Sequence, residues 1–368
     1  MLPHFAVQFI REAELPDRYT GWHEVRPGQG YSRLLLLLAL LLIGGALWVF
    51  VGGRNHSQSP MEEEPSDRAV SDSLDALTPL HPMAGLAPER VLLGRGLFHD
   101  VRLSADQTLS CASCHDLAHG GVDGKRFSVG VRGAVGGINA PSVLNSGFSI
   151  AQFWDGRAAS LEEQAAGPIH NPIEMASSWQ QVMDRLGEDE SLVVAFGKAY
   201  PGTGLSPTTI ADAIATFERS LVTLDSRFDR YLKGEKQLMT PQEILGYRYF
   251  RQLGCISCHQ GILVGGNMYQ KFGVMEDYFA GREITDADLG RYNVTRQDED
   301  RHVFKVPSLR NVTLTAPYFH DGSAQTLAQA VTVMGRYQLG RELPEQQVAA
   351  IVAFLGTLEG RLPDEARP

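Results

Sequence analysis

Residues 111–115 read Cys-Ala-Ser-Cys-His and residues 255–259 read Cys-Ile-Ser-Cys-His, 144 positions further on. Two thiols three positions apart can add across both vinyl groups of one haem, and the histidine that follows falls beneath its iron as the proximal ligand. The two motifs use every cysteine of the chain, Cys111, Cys114, Cys255 and Cys258. A disulfide framework would instead spread its cysteines at varied spacings to close long loops. Two C-x-x-C pairs can also build a structural zinc site, and one pair a thioredoxin-like couple. Neither explains a histidine directly after both pairs, nor the long helical stretch between them. The residues therefore point to two covalently attached haem c groups with His115 and His259 as proximal iron ligands.

The other face of each iron decides between electron carriage and chemistry. His119 is the next histidine after His115, but four extended residues reach at most about 13–14 Å. They would have to round the ring edge while the cysteines pin the backbone, so a surface role suits His119 better. For the second haem a downstream methionine is the natural ligand, because a thioether raises the potential. Met334, in AVTVMGRYQLG, is the best placed, with Met268 and Met275 in competition. Any of the three also serves as core filler.

Around the motifs the chain has the composition of a globular protein. Its 368 residues are 43% hydrophobic and carry a net charge of −10, enough for two domains and the wrong sign for a non-specific nucleic-acid binder. Leu34 to Val51 is an uncharged run of 18 residues, long enough for one transmembrane helix. A cleaved signal peptide is the alternative, against which stand the long leader and the lack of an A-x-A-like site before Arg54. Arg18, Arg26 and Arg33 precede the run, which puts residues 1–33 in the cytoplasm and the bulk of the chain outside. This predicts a single-pass bacterial inner-membrane protein with its catalytic part in the periplasm. Residues 52–85, rich in Ser, Pro and acidic side chains, read as a flexible tether.

Beyond the tether the signals are helical. Ser206-Pro207 precedes a stripe of Ile210, Ile214, Phe217 and Leu221. Thr240-Pro241-Gln242-Glu243 is a capping box leading towards the second motif. Pro344 opens a last helix with Val348, Ile351, Val352 and Leu355 inward, ending near Gly360. Each motif follows a helical segment. The expected fold is mainly α, with two cytochrome c-like haem domains at 86–238 and 239–368.

The strings LFHDVRLS, SCASCH, GGVDG, NAPSVLNSGF, AQFWDGRA, EEQAAGPI, PSLRNVTLTAPYFHDGS and AVTVMGRYQLG together resemble the bacterial dihaem cytochrome c peroxidase family, over about Leu86 to Leu358. The resemblance implies that His115 serves the peroxide-reacting haem, with Glu174 as distal acid–base and Gln164 as the neighbouring amide. It implies that Trp154 lies between the haems and that His259 and Met334 are the axial pair of the high-potential haem. It further implies a calcium ion held by Asn139, Thr315 and Pro317, the last two through backbone carbonyls, with His320 nearby, and a homodimer. Many members carry a histidine about sixteen residues after the proximal one, which blocks the peroxide haem when oxidised. Here that position falls at or beside Val131, which has no ligating atom, so the first haem is expected to be open without reductive activation.

The function so implied is reduction of hydrogen peroxide to water, with electrons from a small periplasmic cytochrome c or cupredoxin, or from membrane quinol. Two alternatives stand beside it. One is a dihaem oxidase that matures a tryptophan-derived cofactor in a partner protein; it uses tyrosine where this chain has Met334, and Tyr337 lies three positions on. The other is a dihaem electron carrier without catalysis, which would need no Glu174.

Overall fold

The computed structural model describes residues 76–362, all inside one compact unit. The expected span at 34–51, the tail before it and most of the expected tether lie outside the described residues. Among the described residues no helix is long and apolar enough to cross a membrane.

The architecture is mainly helical. In chain order come α1 (Pro88–Phe98), α2 (Leu161–His170), α3 (Trp179–Gly187), α4 (Glu190–Ala199), α5 (Pro207–Ser220), α6 (Arg227–Leu232), α7 (Pro241–Gln252), α8 (Tyr292–Thr295), α9 (Leu327–Val333) and α10 (Glu345–Gly356). One two-stranded antiparallel sheet pairs β1 (Tyr269–Lys271) with β2 (Val303–Lys305), Tyr269 opposite Lys305. Long loops and short 3-10 turns carry the rest, and both haem motifs sit on such turns, Cys111–Ser113 and Cys255–Ser257.

The same helix pair is built twice. α1 leads to the first motif and packs on α5; α7 leads to the second and packs on α10. At each crossing a glycine makes the approach possible. A Cβ at Gly94 would run into the carbonyl oxygen of Ala213 and into Phe217, and a Cβ at Gly246 into the carbonyl oxygen of Ala350 and into Phe354. The start signals act as expected. Ser206 Oγ accepts from Thr209 N at 3.2 Å and Thr240 Oγ1 from Glu243 N at 3.3 Å, satisfying amides that have no partner within the helix. Ile210, Ile214, Phe217 and Leu221 are buried, as are Val348, Ile351 and Leu355, while Val352 packs at the core edge. The last helix ends at Gly356, short of the expected Gly360.

The expectation of a flexible tether to residue 85 is corrected here. Leu77 and Leu80 are buried, and Leu77 bridges to Gly261, just past the second motif. Composition spoke for a linker, but two leucines find apolar partners once the chain is folded. The segment is also held by a buried ion pair. Arg310 Nη1 donates to Asp229 Oδ1 at 2.7 Å with both side chains out of water, and Arg310 Nη2 and Nε donate to the carbonyls of Thr78 and Ile262, each at 3.0 Å. Removing one partner of such a pair costs about 3–5 kcal/mol.

Candidate active site

The two motifs adopt one local geometry. His115 N donates to Cys111 O and His259 N to Cys255 O, both at 3.0 Å, so each turn sets its histidine one step beyond the two thiols. Burial pushes the Cys111 thiol up to about 12 and the Cys255 thiol up to about 11. Among the described residues no cysteines converge with histidines into a metal cluster, which removes the zinc reading.

Around the second motif the structure forms a cavity of about 510 Å³, in the range of cofactor sites, with Cys255, Cys258, His259 and Met334 on its wall. Burial lowers the His259 imidazole to about 4, which keeps it neutral and able to ligate. The residues present therefore fit a haem attached at Cys255 and Cys258, with His259 and Met334 able to hold its iron. Met334 opens a π-helical turn, Met334–Gln338, at the end of α9, a distortion common at functional sites. Of the competing methionines, Met275 is 63% exposed and neither it nor Met268 reaches the cavity wall. Tyr337 is also off that wall, its ring edge-on to Tyr278 at 5.0 Å.

Around the first motif the structure gathers different chemistry. His115 Nδ1 lies 3.2 Å from the carbonyl oxygen of Gly121, a contact that holds the ring and leaves Nε2 as the coordinating nitrogen. His119 is at the surface, its side chain 78% exposed and 2.7 Å from Asp116 Oδ2. Glu174 comes close enough to Cys114 to act on its thiol electrostatically, and Arg157 acts on Glu174 in turn. Burial raises the Glu174 carboxyl above its ordinary range, against the opposing pull of the Asn171 hydrogen bond and Arg157. The loop that carries Val131 is docked on this acid's backbone. Val131 N donates to Glu174 O at 2.8 Å, and a Cβ at Gly130 would strike the carbonyl oxygen of Ile173.

The amide bonded to Glu174 is Asn171, not Gln164. Asn171 Nδ2 donates to Glu174 Oε1 at 2.6 Å, and its Oδ1 accepts from Ile173 N at 3.2 Å. Gln164 is half-buried on α2 with no side-chain hydrogen bond to Glu174. Sequence reasoning missed Asn171, although its spacing from Glu174 and its position before Pro172 announce an Asx turn.

Trp154 stands where the two parts meet. Its Nε1 donates to Asn139 O at 2.9 Å, its own carbonyl accepts from Lys305 N at 2.8 Å, and its ring meets His320 edge-on at 6.4 Å. Trp154, Asn139, Thr315, Pro317 and His320 all line the cavity. Asn139 spends its Nδ2 on the carbonyl of Lys125 at 2.9 Å, which leaves its side-chain oxygen free for another donor or a cation. The metal-type side chains that do converge among the described residues are Asp288, His320 and Asp321. They are already engaged, His320 Nε2 with Asp288 at 2.8 Å and Asp321 with Arg282 at 2.7 Å.

Comparison with known proteins decides the family. Residues 88–237 match the family model described as di-haem cytochrome c peroxidase. A cytochrome c551 peroxidase of Nitrosomonas europaea is 47% identical over 82% of this chain and 90% of its own length. The chain belongs to the di-haem cytochrome c peroxidase family. The cytochrome c peroxidase Ccp of Escherichia coli is 51% identical over 77% of this chain, which spans only 61% of that longer relative. Among solved structures, a MauG-like protein associated with microbial copper homeostasis superposes with a TM-score of 0.68 at 29% identity, covering 84% of this chain and 96% of its own. The mainly helical peroxidase/MauG-like fold is thus shared across the family, and the family's cofactor is haem c.

Proposed function

We propose that this dihaem protein reduces hydrogen peroxide, which takes up two electrons and two protons to give two waters, at the site beside His115, with electrons entering through the haem held by His259 and Met334. The observation that carries the assignment is the contrast between the two motifs: a thioether faces the second, whereas a hydrogen-bonded carboxyl stands by the first. Haem iron, when bound, supplies the electron transfer to the peroxide. The chain's own residues supply the rest. The Gly121 carbonyl holds the His115 ring. Glu174 takes the proton from the near peroxide oxygen and returns it to the departing one, as a general base and then a general acid. Burial keeps its affinity for that proton high, and Asn171 keeps one oxygen aimed. Trp154, bonded through its backbone to Lys305 of the second site, is placed to help carry charge between the two parts.

Several finer features belong to the same reading. Among the described residues, neither His119, paired with Asp116 at the surface, nor Val131, which offers no ligating atom, would close the far face of a haem held by His115. Asn139 Oδ1 and the carbonyls of Thr315 and Pro317 hold a calcium ion, for which oxygen ligands are the right kind. The run from Leu34 to Val51 anchors the protein in the inner membrane with the haem domains, 86–238 and 239–368, in the periplasm. There a soluble cytochrome c, a cupredoxin or quinol reaches the second haem, and the protein works as a homodimer. Low-temperature electron paramagnetic resonance of the fully oxidised protein tests the open face. One high-spin and one low-spin ferric signal are expected; two low-spin signals would overturn it. Peroxide turnover with reduced cytochrome c and with quinol, without prior reduction, identifies the donor.

A further inference from the structure

Lys305 is a charge that the peroxidase reading leaves unused. It ends β2, opposite Tyr269, with its backbone N–H fixed on the Trp154 carbonyl at 2.8 Å. Lys305 is on the wall of the same cavity as Cys255, Cys258, His259 and Met334. It is half-buried, and burial lowers its ammonium to about 8 with no charged side chain acting on it. The other permanent cation on the cavity wall, Arg310, is fully engaged with Asp229 and two carbonyls. Asp155, Asp288 and Asp321 are likewise paired, with Arg157, His320 and Arg282. An ammonium drawn into such a place without a counter-charge is costly, and evolution's usual remedies are pairing or replacement by a neutral side chain. A lysine with no anionic partner among the described residues, on the wall of a cofactor cavity, calls for an anion on the cofactor.

We propose that Lys305 is the counter-ion for a propionate carboxylate of the second haem and, by holding a positive charge beside it, raises that haem's reduction potential. The inference rests on the haem reading of the cavity. Its sign follows from Coulomb's law: reduction removes one positive charge from the iron, so a fixed cation nearby favours the ferrous form. A lysine that instead ran out to water along the cavity mouth would be screened and would leave the potential alone.

The experiment is a spectroelectrochemical titration of the full-length holoprotein and two variants, with haem content measured by pyridine haemochrome. In Lys305→Gln the midpoint of the Met334-side haem is expected to fall, so that the ferrous-to-ferric ratio at fixed ambient potential drops about tenfold, equivalent to 59 mV for one electron. Lys305→Arg, which keeps the charge, is expected to stay within about threefold of the wild type. An unshifted midpoint in Lys305→Gln, or an equal fall in both variants, overturns the proposal. Fewer than two covalent haems per chain in the wild type would instead overturn the haem reading itself. Should Lys305→Gln fail to accumulate, resonance Raman of the wild type and Lys305→Arg decides. Displaced propionate bending bands are expected, and identical bands overturn the assignment.

Discussion

The first and second haem regions share a frame and differ in what the frame presents. Each has a helix leading to the motif, a later helix crossing it at a glycine, and an alanine and a phenylalanine four residues apart at the contact: Gly94 with Ala213 and Phe217, Gly246 with Ala350 and Phe354. Each motif closes with the same 3.0 Å bond from the histidine amide to the first cysteine. By that correspondence Glu218, which acts electrostatically on Cys111, takes the place of Leu355, on the wall of the second cavity. Beside the first motif stand carboxyls, Glu174 and Glu218; around the second stand Met334 and Leu355. A repeated scaffold can thus host proton chemistry in one copy and electron storage in the other, because the frame is set by backbone contacts and the chemistry by a few side chains.

The sharpest way to break this comparison is at Glu174. In Glu174→Gln, kcat/KM for peroxide is expected to fall by roughly 10²–10⁴-fold, the ordinary worth of a positioned acid–base group, with both haems retained and the second haem's spectrum unchanged. A rate within a few-fold of wild type would take the chemistry away from the first region.

The equivalence of the frames is tested at the two glycines. Gly94→Ala and Gly246→Ala each force a methyl group onto a carbonyl oxygen, and each is expected to destabilise by about 1–3 kcal/mol in denaturant unfolding. If only one did so, the crossings would not be structural equivalents.

Asn171→Ala sharpens the account of Glu174. The lost hydrogen bond favours the ionised carboxylate, so its removal raises the carboxyl further and moves the acidic limb of kcat/KM to higher pH. A charge-assisted bond of about 1.5–3 kcal/mol implies a loss of roughly tenfold or more on that limb. An unmoved pH profile with lowered stability would leave Asn171 only its turn at Ile173.

The pH dependence of stability tests Glu218, the first region's counterpart of Leu355. Burial pushes this carboxyl from 4.5 up to about 8, so the folded state binds more protons than the unfolded one between those values. Stability therefore falls as pH rises through that window. Glu218→Gln is expected to flatten the slope between pH 5 and pH 8, measured by denaturant midpoints. An equal slope in the variant would show that Glu218 is not what sets it.

Much of the frame was legible because it is local. The cap at Ser206, the box at Thr240 and the apolar stripe from Ile210 to Leu221 depend on residues within a turn or two of each other. Their burial follows from periodicity alone. The site was legible only in part. Glu174 came from the family resemblance and Met334 from its place in the chain as well as that resemblance, yet the bond from Asn171 to Glu174, within three residues, was overlooked. Leu77 and Leu80 were hidden by the polar composition around them, and Lys305 by its ordinary place at the end of a short strand.

By itself the sequence determined two haem attachments, a mainly helical frame and a repeated pair of motifs, since these depend on covalent spacing and on hydrogen bonds made within a helix turn. Only the tertiary structure decided that Met334, and not Met268 or Met275, reaches the second cavity. The same is true of Asn171 as the partner of Glu174 and of Lys305 facing a cavity with no anion of its own. For Met334 and Lys305 the choice depends on segments far apart in the chain arriving at one place, which no local spacing encodes; for Asn171 the spacing was present, and the fold shows which oxygen of Glu174 it meets.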